Sequence, residues 1–391
     1  MPTVLDSATA PVPASPPPPA AGKGLEGVVA NQSSICYVFG EEGRLIYRGY
    51  DINDLADHST FEETAYLLLK GDLPTRDQLK GFVAEIKAAQ KLPKVVQRVI
   101  KDAPLEASPM NVLRTAVSAS VFADPDKEDN SPAAEYRKAV RLIAQLPTIV
   151  AMFHRLRNKQ KPLVPRRGLS LAANLLYLLS GDLPDAESAK ALDVALILHA
   201  DHELNASTFA ARVIAATLAD MHGALTGALA ALAGPLHGGA NSEVMKMLLD
   251  IRTPDRAEAW VREALAQKRK IMGFGHRVYR TEDPRAAHLR RLAEHLGRKA
   301  GQPQWFAIQR VVEEVVRREK GLYCNVDFYS ASMYYVMGIP LDLYTAIFAA
   351  SRVSGWCAHV LEQHADNRLI RPRADYVGAM NRKWIPLRKR A

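Results

Sequence analysis

Beyond Asp51, apolar side chains recur every three or four positions, with polar ones between them, in FEETAYLLLKGDLP, LKGFVAEIKAAQ, PMNVLRTAVSASVFA and AEYRKAVRLIAQLPTIVAMFHRLRN. The same spacing continues through LSLAANLLYLLSGDLP and SAKALDVALILHADHEL. It places the apolar residues on one face of a helix and predicts a nearly all-α protein. The earlier stretch SSICYVFGEEGRLIYRGYD instead alternates apolar and polar residues around Gly-Glu-Glu-Gly, the pattern of a small hairpin. Residues 1–23 are rich in Pro and Ala; they offer little apolar area to bury and are expected to form a disordered tail.

Punctuation sharpens these elements. AYLLLKGDLPT and LLYLLSGDLPD both end an apolar helix with Gly-Asp-Leu-Pro. Gly71 and Gly181 suit the left-handed position after a helix, Pro74 and Pro184 stop it, and Thr75 or Asp185 can cap the next one. One such echo indicates shared helix-stop chemistry rather than a repeat array. MHGALTGALAALAGP sets Gly223 and Gly227 four apart on one face, where another helix can approach closely. That face suits either a subunit interface or an ordinary buried helix pair.

Length and composition narrow the class. The 391 residues are enough for two or more structural units. The most apolar stretch, residues 206–235, is interrupted by Arg212, Asp220 and His222, so no membrane helix is expected. The first residues lack the basic and apolar regions of a secretory signal. Cys36, Cys324 and Cys357 form no metal-type pair and fit three free thiols in a reducing, cytoplasmic setting. The net charge of +9 is concentrated toward the C-terminus, which reads as a solvated basic tail, an RNA-binding scaffold, or a field that attracts a small polyanion.

Seven of the eleven histidines lie between residues 199 and 295, which directs attention to HADHELNAST, GPLHGGAN and GFGHRVYRTEDPR. His199 and His202 are three apart and could share a helical face, as in a histidine-based metal hydrolase. They lack the four-residue spacing and intervening glutamate of such zinc sites, and no cysteine pair offers an alternative. His237 sits between a Gly-Pro-Leu turn and a Gly-Gly pair, where backbone can approach a ligand. His237 and His276, with Arg277, Arg280, Arg285, Arg352, Arg371 and Arg373, suit a small substrate bearing two or more carboxylates, although any one arginine could be a surface charge. Asp327 in CNVDFYSAS is a lone acid in an uncharged run, readable as a helix cap or as a general base in a partly dry pocket. An aspartate base, neutral histidine donors and an arginine cluster together suggest carbon-acid chemistry beside a carboxylate-rich electrophile.

These motifs resemble the citrate synthase family. GLEGVVANQSSICYVFGEEGRLIYRGYDINDLA, HADHELNASTFAARV, GPLHGGANSEV, KIMGFGHRVYRTEDPRA, NVDFYSAS, SRVSGWCAHVLEQ and NRLIRPRADYVG occur in the family's order over residues 24–378. The resemblance implies condensation of acetyl-CoA with oxaloacetate and hydrolysis of the citryl thioester, without metal or other cofactor. A sister activity uses propionyl-CoA and gives 2-methylcitrate. Asp327 would be the base, His237 the donor to the thioester oxygen, and His276 the donor to the oxaloacetate carbonyl. His202, Arg285 and Arg352 match oxaloacetate ligands, and Arg371 matches an arginine supplied by the neighbouring subunit of a homodimer. Arg280 would meet CoA phosphates, and the backbone around Gly273 and Gly275 its adenine. The implied fold has a large helical domain, residues 24–238 and 338–391, and a smaller inserted one, residues 239–337, with His237 at the hinge. Neither a nucleic-acid nor a membrane partner is expected.

Overall fold

The computed structural model describes residues 23–25 and 27–390. The expected disordered tail lies outside the described residues except for Lys23. The described residues fall into two units that divide between Ser33 and Ser34. In the first, the described residues contain one 3-10 turn, Lys23–Leu25, in which Gly24 takes φ 70°.

The second unit opens with the expected small hairpin, extended by a short third strand into a three-stranded antiparallel sheet. Strands β1 (Cys36–Phe39) and β2 (Arg44–Tyr47) pair with Cys36 opposite Tyr47, and β3 (Tyr50–Asp51) adds Asp51 opposite Ile46. The third strand is two residues long, too short to leave an alternation in the sequence. Its Asp51 immediately caps the first helix by accepting from the Asn53 N–H.

Sixteen α-helices follow among the described residues. The first group is α1 (Ile52–His58), α2 (Phe61–Lys70), α3 (Arg76–Ala89), α4 (Lys94–Asp102), α5 (Pro109–Ser120), α6 (Pro132–Arg157), α7 (Leu171–Ser180), α8 (Ala186–His199), α9 (Ala206–Ala215) and α10 (Met221–Leu232). Then come α11 (Ala240–Ile251), α12 (Pro254–Ala266), α13 (Pro284–Lys299), α14 (Gln304–Lys320), α15 (Val326–Val336) and α16 (Tyr344–Ala365). The two Gly-Asp-Leu-Pro stops act as their chemistry requires. Gly71 and Gly181 are left-handed, at φ 94° and 96°, and their N–H groups close the last turns on Leu67 and Tyr177. Thr75 then starts α3 with a reciprocal capping box to Gln78, and Asp185 caps α8.

The core runs along α16, which is buried on nearly every side around Trp356 and packs against α2, α5, α6, α8, α9 and α10. A second set of contacts joins α13 to α14 and α15, and α11 to α12, α14 and α15. The glycine face of α10 packs within the chain: a Cβ on Gly227 would collide with the Ile214 side chain of α9. All three cysteines are free and buried. Among the described residues no helix is long and apolar enough to cross a membrane.

Candidate active site

The loop 273–282 is held from two sides. The turn after β1 presses on it: a Cβ on Gly40 would collide with the Val278 carbonyl, and the Arg280 N–H donates to Gly40 O at 3.0 Å. On the other side, Gly275 N–H donates to Tyr323 O, Asn325 N–H to Gly273 O, both at 2.9 Å, and the Asn325 amide to Gly275 O at 3.1 Å. Gly273, at φ 84°, leaves no room for a side chain between Phe328 and Val244. The loop carrying His276 is thereby strapped to the start of α15, which carries Asp327.

The tautomers of both central histidines follow from their partners. His276 Nδ1 accepts from the Val278 and Tyr279 N–H groups, each at 3.0 Å, so its proton resides on Nε2. His237 lies in the turn after α10, and its Nε2 accepts from the Ser207 N–H at 3.3 Å, with Ser207 Oγ 2.9 Å away. Its proton therefore resides on Nδ1. Burial lowers both imidazoles to about 4, aided at His237 by Arg352 and at His276 by Arg285. Both are neutral donors near pH 7, able to bond a developing oxyanion without releasing a proton to solvent.

Asp327 occupies the first turn of α15, and Asn325 is the cap, its side chain accepting from the Asp327 N–H. The cap reading of Asp327 is thus corrected: the neighbouring amide already does that work. Burial raises the Asp327 carboxyl to about 6, with Arg285 and Arg352 pulling down and Asp283 pushing up. No described side chain donates to its carboxylate, which keeps its lone pairs free for a proton.

Arg285 and Arg352 are both buried, at 2% exposure, but are held differently. Arg285 makes a two-point pair with Asp283, Nε to Oδ1 at 2.9 Å and Nη2 to Oδ2 at 2.7 Å. Arg352 donates Nε to the His199 carbonyl at 2.6 Å and stacks over Phe348, with no carboxylate partner among the described residues. An unpaired buried guanidinium is suited to an anionic ligand. His202, also buried, meets the His276 ring edge-on at 5.0 Å, and its Nε2 has no hydrogen-bond partner.

The remaining expectations separate. His199 bonds through Nδ1 to Ala195 O at 2.6 Å and packs on Phe348, while His202 turns toward His276 and Tyr279. Arg277, Arg280, Arg371 and Arg373 are exposed, so only two of the six arginines lie inside. Arg280 lines a cavity of about 180 Å³ with Gly275, His276 and Leu322. Sequence reasoning did not single out Ser207, which fixes the His237 tautomer, or Asp283, which pairs with Arg285. Asp283 had a signal: Asp-Pro-Arg places an acid at a helix cap with proline in the first turn.

A family model described as "Citrate synthase, C-terminal domain" matches residues 24–373. The chain belongs to the citrate synthase family. It is 47% identical to citrate synthase 2 of Bacillus subtilis over 95% of this chain and 100% of that protein. It is 42% identical to 2-methylcitrate synthase of Shewanella oneidensis over 94% of this chain and 98% of that one. Among solved structures, the citrate synthase of Thermoplasma acidophilum in a ternary complex with carboxymethyl coenzyme A and oxaloacetate superimposes with a TM-score of 0.90. That match has 36% identity and covers 94% of this chain and 99% of that one. The all-α architecture with a small β element is that of the citrate synthase family, and the matched span contains every buried residue described above.

Proposed function

We propose that the protein condenses acetyl-CoA with oxaloacetate and hydrolyses the citryl thioester to citrate and CoA. The observation that carries this reading is the set of one proton acceptor and two neutral imidazole donors. The Asp327 carboxylate takes a proton from the thioester methyl group while His237 Nδ1–H bonds the thioester oxygen, giving an enol or enolate. That carbon attacks the oxaloacetate ketone, whose oxygen is polarised by His276 Nε2–H. Water then cleaves the citryl thioester and releases the CoA thiol.

Oxaloacetate is held by His202, Arg285 and Arg352, and Arg371 reaches it from a second copy of the chain. Arg371 is exposed in one chain, and the segment after it exposes Tyr376, Val377, Met380 and Trp384, apolar side chains that a second copy would cover. Arg280 and the backbone at Gly273 and Gly275 meet CoA. A large domain, residues 24–238 and 338–391, closes on a small one, residues 239–337, about a hinge at His237, excluding water until the carbon bond forms. The packing of α11 and α13 on α15, and of α2, α5, α6, α8, α9 and α10 on α16, supports this division. Three buried thiols support a reducing, cytoplasmic location.

Thiol release from acetyl-CoA, dependent on oxaloacetate, tests the reading; its absence in a folded protein refutes it. The 2-methylcitrate synthase relative motivates running propionyl-CoA in parallel. A higher kcat/KM for propionyl-CoA would reassign the acyl substrate while keeping the chemistry.

A further inference from the structure

Tyr279 is 4% exposed, and its hydroxyl has no hydrogen-bond partner. A buried hydroxyl without a partner is expensive to keep, and phenylalanine would fill the same space without that cost. The ring lies 4.6 Å from that of His276 and 5.6 Å from that of His202. Its backbone N–H is one of the two donors that fix His276 in the Nε2–H form, so the tyrosine moves with the histidine. His202 Nε2, across the edge-on contact, is likewise without a hydrogen-bond partner.

Arg285 and Arg352 supply the positive charge on this side of the site, opposed in part by the carboxylates of Asp283 and Asp201. Arg352 brings a guanidinium with no carboxylate partner among the described residues, and the charge on Arg285 is already offset by Asp283. A dianion therefore meets less than two free positive charges from this chain, and a neutral donor can add to its binding. The His237 end is furnished differently, with Ser207 beside the imidazole and Trp356 donating in turn to the Ser207 hydroxyl, so Tyr279 sits with the imidazoles assigned above to the oxo acid rather than the thioester.

Resting on the function proposed above, we propose that Tyr279 is a further substrate-binding residue whose hydroxyl donates a hydrogen bond to a carboxylate oxygen of the 2-oxo dicarboxylate. Tyr279→Phe removes that single donor and leaves the backbone bond to His276 in place. The test is calorimetric titration of the full chain with oxaloacetate, together with steady-state kinetics and thermal unfolding with and without oxaloacetate. Expected are a Kd and KM for oxaloacetate raised about tenfold or more, a KM for acetyl-CoA within about twofold of the parent, and kcat at saturating oxaloacetate within about threefold. Without ligand the variant should unfold at the parent temperature or higher, since an unpaired polar atom has been removed, and oxaloacetate should raise that temperature less than in the parent.

A variant that binds oxaloacetate within twofold of the parent overturns the role of Tyr279 alone, whether or not its unliganded form is destabilised. A fall in kcat with unchanged Kd also overturns it. If the parent protein binds no oxaloacetate, the functional reading falls and Tyr279 falls with it.

Discussion

Two helix starts carry an aspartate each, buried at one and half-buried at the other, and they treat it oppositely. At the start of α13, Asp283 is the cap itself, accepting from the Arg285 N–H and holding the Arg285 guanidinium at two points. At the start of α15, the cap is Asn325, and Asp327, two residues on and within the first turn, has no partner for its carboxylate among the described residues. Burial pushes both acids up, but at Asp283 the adjacent Arg285 outweighs it and lowers the carboxyl below its ordinary value. At Asp327 the arginines only partly offset burial, and the carboxyl rests at about 6. The two starts are joined, since the Val326 N–H donates to Asp283 Oδ2 at 3.3 Å. One aspartate is a lasting anion that fixes a buried arginine; the other, in the function proposed above, would take and return a proton.

Breaking the paired start should have the largest effect. Asp283→Asn leaves the Arg285 charge buried without its counter-ion and should cost about 3–5 kcal/mol of unfolding free energy, read by urea denaturation at pH 7.5. The comparison fails if the loss is under about 1 kcal/mol. Asp327→Asn at the unpaired start should instead leave the protein folded and able to bind oxaloacetate while turnover falls at least about a hundredfold. His237→Ala should do the same by removing the oxyanion donor. Turnover near that of the parent in either variant removes the residue from its role.

The pH dependence separates the two acids without mutation. With an Asp327 carboxyl at about 6, kcat/KM for the acyl thioester should fall as pH drops through about 6 and approach tenfold per unit below it. Both imidazoles stay neutral down to about 4 and contribute nothing to that limb. A limb centred near the ordinary aspartate value would mean that Asp327 is better solvated than the structure shows.

Much of this contrast was legible before any coordinates. The Gly-Asp-Leu-Pro stops, the capping roles of Thr75 and Asp185 and the all-α class follow from local chemistry, and the choice of His237, His276 and Asp327 as candidates follows from motifs that occur in order. The partnerships were not. Ser207 lies 30 residues from His237, and their contact depends on how α9 packs beside α10. Tyr279 is an unremarked aromatic in GFGHRVYR until burial strips its hydroxyl of partners. Asp283 and Asp327 are indistinguishable as letters: each stands near a helix start with a serviceable cap residue nearby. Only the third dimension gives Arg285 to one of them and leaves the other alone.

The finest test is whether Asp327 costs stability. Its folded carboxyl, at about 6, lies above the ordinary 3.8, so the folded protein holds a proton that the unfolded chain has released between those values. Stability from this group is present below about 4 and is lost as pH rises through about 6. Above that, the folded state carries a charge in a poorly solvated place. Asn carries none, so Asp327→Asn should be more stable than the parent by about 1–2 kcal/mol at pH 8, a partial-burial discount on the full shift. Below pH 4 Asp327 is protonated in both states and the gain should vanish. A gain that persists at low pH would have to come from packing rather than charge. No gain at pH 8 would mean that the start of α15 solvates its aspartate, and the contrast with Asp283 would narrow to the arginine alone.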